Sequence, residues 1–211
     1  GKSGAEDAAA AESGKRYPDG ATILTQADSL SLRRGDKIVL ATHNAGKLQE
    51  FRNLFAPHGI DFVSAGELGV AEPVEDGTTF VENARIKAHA TAKATGQLSL
   101  ADDSGISITA LNGAPGVYTA DWAHTDNGRD WNMAIQRAKD EIDASGSDDW
   151  SCSFNSTLCL AHPDGRELVF EGNMPGTFVW PPRGGKHLGF DPVFQPDGSE
   201  LTYGQLWEEA R

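Results

Sequence analysis

Residues 37–51, KIVLATHNAGKLQEF, constrain the fold more than any other stretch. KIVLAT is a short apolar run closed by a turn, as a buried strand should be. Leu48, Phe51 and Phe55 then recur at helical spacing, and IDFVSA (60–65) reads as the next strand. Strand, helix, strand in that order implies a parallel crossover and an α/β fold. The turn between strand and helix carries Thr42, Asn44, Gly46 and Lys47. It is not a P-loop. Ala41 stands where that motif needs its first glycine, and Leu48 where it needs a hydroxyl. Two readings remain. A helix N-terminus with a lysine attracts phosphate. Alternatively, Asn44 is only an N-cap and Lys47 only a solvated side chain.

The clearest helix lies in EDGTTFVENARIKAHATAKATG. Thr79 and Glu82 form a capping box, Phe80, Ala84, Ala88 and Ala92 repeat every four residues, and Gly96 supplies the stop. Asn83 and Lys87 lie four apart on another face, where they line a polar site or are simply exposed. LSLADDSGISI reads as a strand that ends in two acids and a glycine turn. A third helix, GRDWNMAIQRAKDEI, puts Trp131, Ile135, Ala138 and Ile142 on one face. WSCSFNSTLCLAHPDGRELVFEG is a hairpin with HPDG as its turn, and GQLWEEAR begins a last helix.

Charge and cysteine content narrow the function classes. The 211 residues carry a net charge of −13, which argues against coating polymeric nucleic acid through a broad basic surface. An acidic protein still holds a triphosphate if a few lysines converge or a divalent metal mediates. No apolar run is long enough to cross a bilayer. Cys152 and Cys159 sit on opposite faces of one strand and cannot easily bridge. Reduced thiols favour a cytoplasmic location. The scattered histidines form no H-E-x-x-H pattern, and neither G-x-S-x-G nor G-x-G-x-x-G occurs.

The acids carry the candidate chemistry. In ADDSG (101–105), Asp102 and Asp103 end an apolar strand, where open α/β sheets bind ligands. Successive strand residues face opposite ways, so the two have different tasks: one faces a cation, the other orients it or activates water. The plainer reading is a solvated turn built from turn-forming residues. In VEDG (74–77), Glu75 and Asp76 are a second carboxylate source for a hard cation, or merely favourable charge before a helix.

ATHNAGKLQEF, EDGTTFVENARIKA, ADDSGISITALNGAPGVYTADWA and LGFDPVF, in this order, resemble the inosine/xanthosine triphosphate pyrophosphatase family from about Asp36 onward. The resemblance implies an elongated mixed sheet flanked by helices, in two lobes with a central cleft, and a homodimer. It implies Mg2+-dependent hydrolysis of ITP, dITP and XTP to the monophosphate and pyrophosphate, which cleanses the nucleotide pool. Thr42, His43, Asn44, Ala45, Gly46 and Lys47 match the phosphate-binding turn. Glu75 and Asp103 match the magnesium-linked acids, supported by Asp102, with Asp103 also the water-activating base. Ser104 matches a substrate contact. Leu188, Gly189, Phe190 and Asp191 match the segment that meets the base, with Phe190 as the stacking ring.

Two departures stand out. Lys186 and His187 interrupt the family's Gly-rich loop, and the sequence ends at Arg211, before a lysine and a Ser-His-Arg motif that help bind phosphate and read the purine 6-oxo group. A truncated or diverged nucleotide-binding protein with weak or no turnover is therefore the alternative. Residues 1–34 are expected to be an N-terminal extension, largely without order, in which ATILTQADSLSL adds at most a short element. Residues 35–211 are expected to form the α/β domain.

Overall fold

Ile38, Val39 and Leu40 are almost completely buried, and this unbroken apolar run places strand β3 (Lys37–Leu40) inside the sheet. A return strand (Asp61–Ser64) lies parallel to it, with Ile38 opposite Phe62. On its other side runs a long strand (Ser99–Ile108), also parallel, with Val39 opposite Ser99. These two are β4 and β5. Helix α1 (Ala45–Phe55) makes the crossover from β3 to β4. It buries Leu48 and Phe51, and the rings of Phe51 and Phe55 meet Phe62 edge-on. A short 3-10 turn follows, and Gly59 stops it in the left-handed conformation at φ 68°.

The structure is a computed structural model that describes residues 15–16, 22–25, 30–185 and 189–209. Around β3 to β5 stand β1 (Lys15–Arg16), β2 (Thr22–Thr25), β8 (Ser151–Ala161), β9 (Glu167–Phe178) and β10 (Phe194–Pro196). Their order in the mixed, eight-stranded sheet is β1-β2-β9-β8-β5-β3-β4, with β10 also paired to β9. A separate ribbon pairs β6 (His124–Thr125) with β7 (Gly128–Arg129). Helices α2 (Phe80–Thr95), α3 (Trp131–Ser145) and α4 (Tyr203–Glu209) complete the α/β fold. Among the described residues, no helix is long and apolar enough to cross a membrane.

The chain divides into two compact units, Gly1–Asp103 with Thr157–Gly172 and Ser104–Ser156 with Asn173–Arg211. The first has one core of Leu, Ile and Phe under α1 and a second of small residues under α2. The second unit packs Ile106, Ile108, Phe178, Phe190 and Phe194 against Ala134, Ile135, Ala138 and Ile142 of α3. Cys152 lies in this core and Cys159 in the small-residue core, both as free thiols.

One expectation changes. β5 does not end at the acids: Asp102 and Asp103 are mid-strand. The strand goes on because Ile106 and Ile108 resume the alternation and are both fully buried. In the N-terminal extension, β1 pairs with β2, and β2 pairs antiparallel with β9 from Thr22–Glu171 to Thr25–Leu168. The short element drawn from ATILT is thus a sheet strand; the rest of the extension before Leu30 lies outside the described residues.

Candidate active site

The first unit brings the predicted acids and lysines together through α2 and β5. Thr79 caps α2 by accepting the Glu82 N–H at 3.1 Å. Glu82 reaches back one residue further than the usual capping box. Its carboxylate accepts from the Thr78 N–H at 2.6 Å, and this bond, with the Thr78 hydroxyl, holds its pKa below the ordinary value. Ala84, Ala88 and Ala92 are fully buried against Ala101, Cys159, Ala161 and Val169. Side chains this small let the helix approach the sheet closely, so Asn83 and Lys87 meet the acids of β5.

Lys87 Nζ lies 2.9 Å from Glu75 Oε1 and also donates to the Asp102 carbonyl. From α1, Lys47 Nζ lies 2.6 Å from Asp102 Oδ2, so the Lys47 side chain is paired rather than merely solvated. Asp103 is the anomaly of the group. Its Oδ2 is buried without a hydrogen-bond partner, and the amide of Asn83 lies near enough to influence its charge. Burial pushes its pKa from 3.8 to about 7. Lys87 opposes that rise, Glu75 adds to it, Asn83 opposes it and Asp102 adds to it. A group that titrates near neutrality suits proton transfer.

In the turn, Asn44 is the N-cap of α1. Its Oδ1 accepts from the Gly46 and Lys47 N–H groups at 2.8 and 3.1 Å, and its own N–H donates to Thr42 Oγ1 at 3.1 Å. These two amides are satisfied by the cap, and the Lys47 ammonium is held by Asp102. Gly46 is needed for the closeness of the cap, since a Cβ there would lie 3.2 Å from Asn44 Oδ1. His43 and Ala45 are exposed beside it.

The remaining predicted residues belong to the second unit. Ser104 is half-buried in β5. Gly189 has φ 91°, and Asp191 opens a 3-10 turn. Leu188, with Lys186 and His187, lies outside the described residues. Phe190 does not offer a ring for stacking. It is 1% exposed, packed in the core with its edge toward Trp131, because the Asp-Pro turn after it buries Pro192 and Val193.

The carboxylates are donors of the type a hard divalent cation takes, although their oxygens do not all lie within 4.8 Å of one another. Glu75, Asp102 and Asp103 are all carboxylates, and the unpartnered Asp103 oxygen is a buried acceptor with nothing to accept. Further along α2, His89, Cys159 and Glu167 form the one His/Cys/Asp/Glu group among the described residues whose ligand atoms converge within 4.8 Å. There the Arg85 guanidinium already holds both Glu167 oxygens, at 2.8 and 3.1 Å. A structural ion pair explains that cluster.

Sequence reasoning reached Asn83 and Lys87 but left their role open. Their signal is two polar side chains one turn apart beside an alanine stripe. Gly77 and the Arg85–Glu167 pair went unnoticed; Arg85 and Glu167 are far apart in sequence and meet only through the sheet.

The sequence model described as the Ham1 family matches residues 38–211. A dITP/XTP pyrophosphatase of Ruegeria pomeroyi is 53% identical over 180 residues, 84% of this chain and 88% of the relative. One of Bartonella henselae is 51% identical over 179 residues, 83% of each chain. Among solved structures, a HAM1 protein from Coxiella burnetii matches with a TM-score of 0.74 at 36% identity, covering 81% of this chain and 86% of that one.

Proposed function

The chain belongs to the Ham1 family, and from that membership we propose that it hydrolyses non-standard purine nucleoside triphosphates (ITP, dITP and XTP) to the nucleoside monophosphate and pyrophosphate. Within the chain, one observation carries the reading: a buried Asp103 oxygen without a partner, in a carboxylate of pKa about 7, flanked by the Lys47–Asp102 and Lys87–Glu75 pairs. A site for a polyanion needs cations, and one for water attack needs a proton acceptor; this group supplies both.

Mg2+ is the proposed cofactor, with Glu75 and Asp103 as its protein ligands and Asp102 in support. When bound, it offsets the repulsion between carboxylates and phosphate oxygens and stabilises the pyrophosphate leaving group. The chain's own residues do the rest. Asp103 accepts a proton from the attacking water. The water oxygen bonds to the α-phosphorus as the α–β bridging bond breaks. Lys47 and Lys87 face negative charge in the ground state and exchange part of their carboxylate contact for phosphate as charge shifts. Ser104, Leu188, Gly189 and Asp191 are the proposed remaining substrate contacts. A homodimer in the cytoplasm, with residues 35–211 as the catalytic domain, completes the reading.

Pyrophosphate release from ITP, dITP, XTP and ATP, with and without Mg2+, tests it. Release from the first three, dependent on Mg2+ and weak for ATP, is expected. No release from any of them overturns it, and binding of ITP without release would favour a turnover-deficient binding protein.

A further inference from the structure

We propose that Lys87 is an internal cation for the acid cluster: its ammonium stands in for a metal ion between Glu75 and β5, and Mg2+ enters only by displacing it. The proposal deepens the proposed function and takes the metal ligands, Glu75 and Asp103, from that reading.

Lys87 leaves α2 where the alanine stripe brings the helix close to the sheet, and its side chain is 18% exposed. A largely buried ammonium is costly unless it is paired. Its partners are those a cation in this place takes. Glu75 Oε1 lies 2.9 Å from Nζ, and the Asp102 carbonyl accepts from it as well. The charge also reaches Asp103: burial raises the pKa of that carboxyl, and Lys87 is the strongest influence against the rise.

An ammonium and a magnesium ion hold oxygens at different distances. Mg2+ takes its oxygen ligands at about 2.1 Å. The Lys87–Glu75 contact is 2.9 Å, so an ion at the Nζ position needs the Glu75 carboxylate drawn inward. The spread of the acids agrees, since the oxygens of Glu75, Asp102 and Asp103 do not all lie within 4.8 Å of one another. Charge points the same way. Lys47 holds Asp102 Oδ2 at 2.6 Å, so two ammonium groups already stand against three carboxylates. A divalent ion added to that group meets their repulsion. A triphosphate changes the balance, because it offers the displaced ammonium a new anion. Metal and nucleotide then favour each other's entry, and the linkage is reciprocal.

Lys87→Met keeps most of the stem and removes the charge. Calorimetry with Mg2+ alone should show binding tighter than wild type by about tenfold, while the KM for dITP rises because the phosphates lose a cation. A merely structural role weakens both. Lys93→Met removes the same charge from the exposed last turn of α2 and should leave Mg2+ binding at the wild-type level. Mg2+ affinity unchanged or weakened in Lys87→Met, or raised equally in Lys93→Met, overturns the proposal. If circular dichroism shows Lys87→Met unfolded, the wild type decides. The carbon NMR signal of the Lys87 ε-methylene, identified by its absence in Lys87→Arg, should shift as Mg2+ is added without nucleotide. A signal indifferent to saturating Mg2+ overturns the proposal. Wild-type turnover of dITP is measured alongside. Its absence overturns the proposed function while the Mg2+ titrations still judge Lys87, and an active wild type with unchanged Mg2+ affinity in Lys87→Met overturns this proposal alone.

Discussion

Arg85 and Lys87 leave helix α2 two residues apart and arrive at different carboxylates. Arg85 meets Glu167, whose side chain is 10% exposed and fully engaged: both oxygens receive the guanidinium, with His89 Nε2 and Cys159 Sγ each 3.7 Å away. The pair raises the Arg85 pKa further, and burial followed by the Glu167 charge pushes the Cys159 thiol up to about 12. Lys87 meets Glu75 and the backbone of Asp102, while Asp103 beside it keeps an oxygen with no partner and a pKa of about 7. Both regions bury an acid next to a base. The difference is whether every lone pair is used, and a structural pair uses them all.

The sharpest way to break this contrast is Asp103→Asn. Removing a general base should lower kcat by about 1,000-fold or more while the circular dichroism spectrum stays native. Near-normal pyrophosphate release would make the two regions alike. The reverse experiment is Arg85→Ala, which leaves Glu167 buried with His89 and the Cys159 thiol as its neighbours. A cost of about 3 kcal/mol in urea unfolding is expected, with kcat unchanged in the folded protein. A smaller effect comes from pH. The folded-state pKa of Asp103 lies above its unfolded value of 3.8, so the folded protein binds that proton more tightly. Without Mg2+, stability should therefore fall as pH rises from about 4 to about 7, by about 2 kcal/mol once the partial solvent access of the side chain is discounted. Urea melts at pH 5 and pH 8 in a chelator should show the fall in wild type and lose it in Asp103→Asn. Smallest is Thr79→Ala. It removes the cap of the helix that carries both regions, and about 1 kcal/mol of stability should go without favouring either.

The sequence made the crossover legible because β3 is a continuous apolar run and α1 repeats Leu48, Phe51 and Phe55 at helical spacing. It made the acids legible as types, but not their place: Asp, Ser and Gly read as a turn, whereas β5 runs on through Asp102 and Asp103 because Ile106 and Ile108 beyond them are buried. The misplaced stacking role of Phe190 has a similar cause. An aromatic beside a glycine looks available, yet whether its ring faces a ligand or a core depends on contacts made far along the chain, here with Trp131. Asn83 was visible as a polar residue, but its orientation depends on the Gly77 N–H, and no periodicity encodes that bond.

The pairing of β2 with β9 has a consequence for handling the protein. Residues 22–25 cover the backbone of Leu168 to Glu171 on the side of β9 away from β8. A chain trimmed to begin at Leu30 would retain every acid and lysine of the candidate site and still present an open strand edge to its neighbours in solution. Such a chain should turn over nucleotide normally when dilute and grow turbid when concentrated. Colloidal behaviour, rather than catalysis, is where the first thirty residues should make themselves felt.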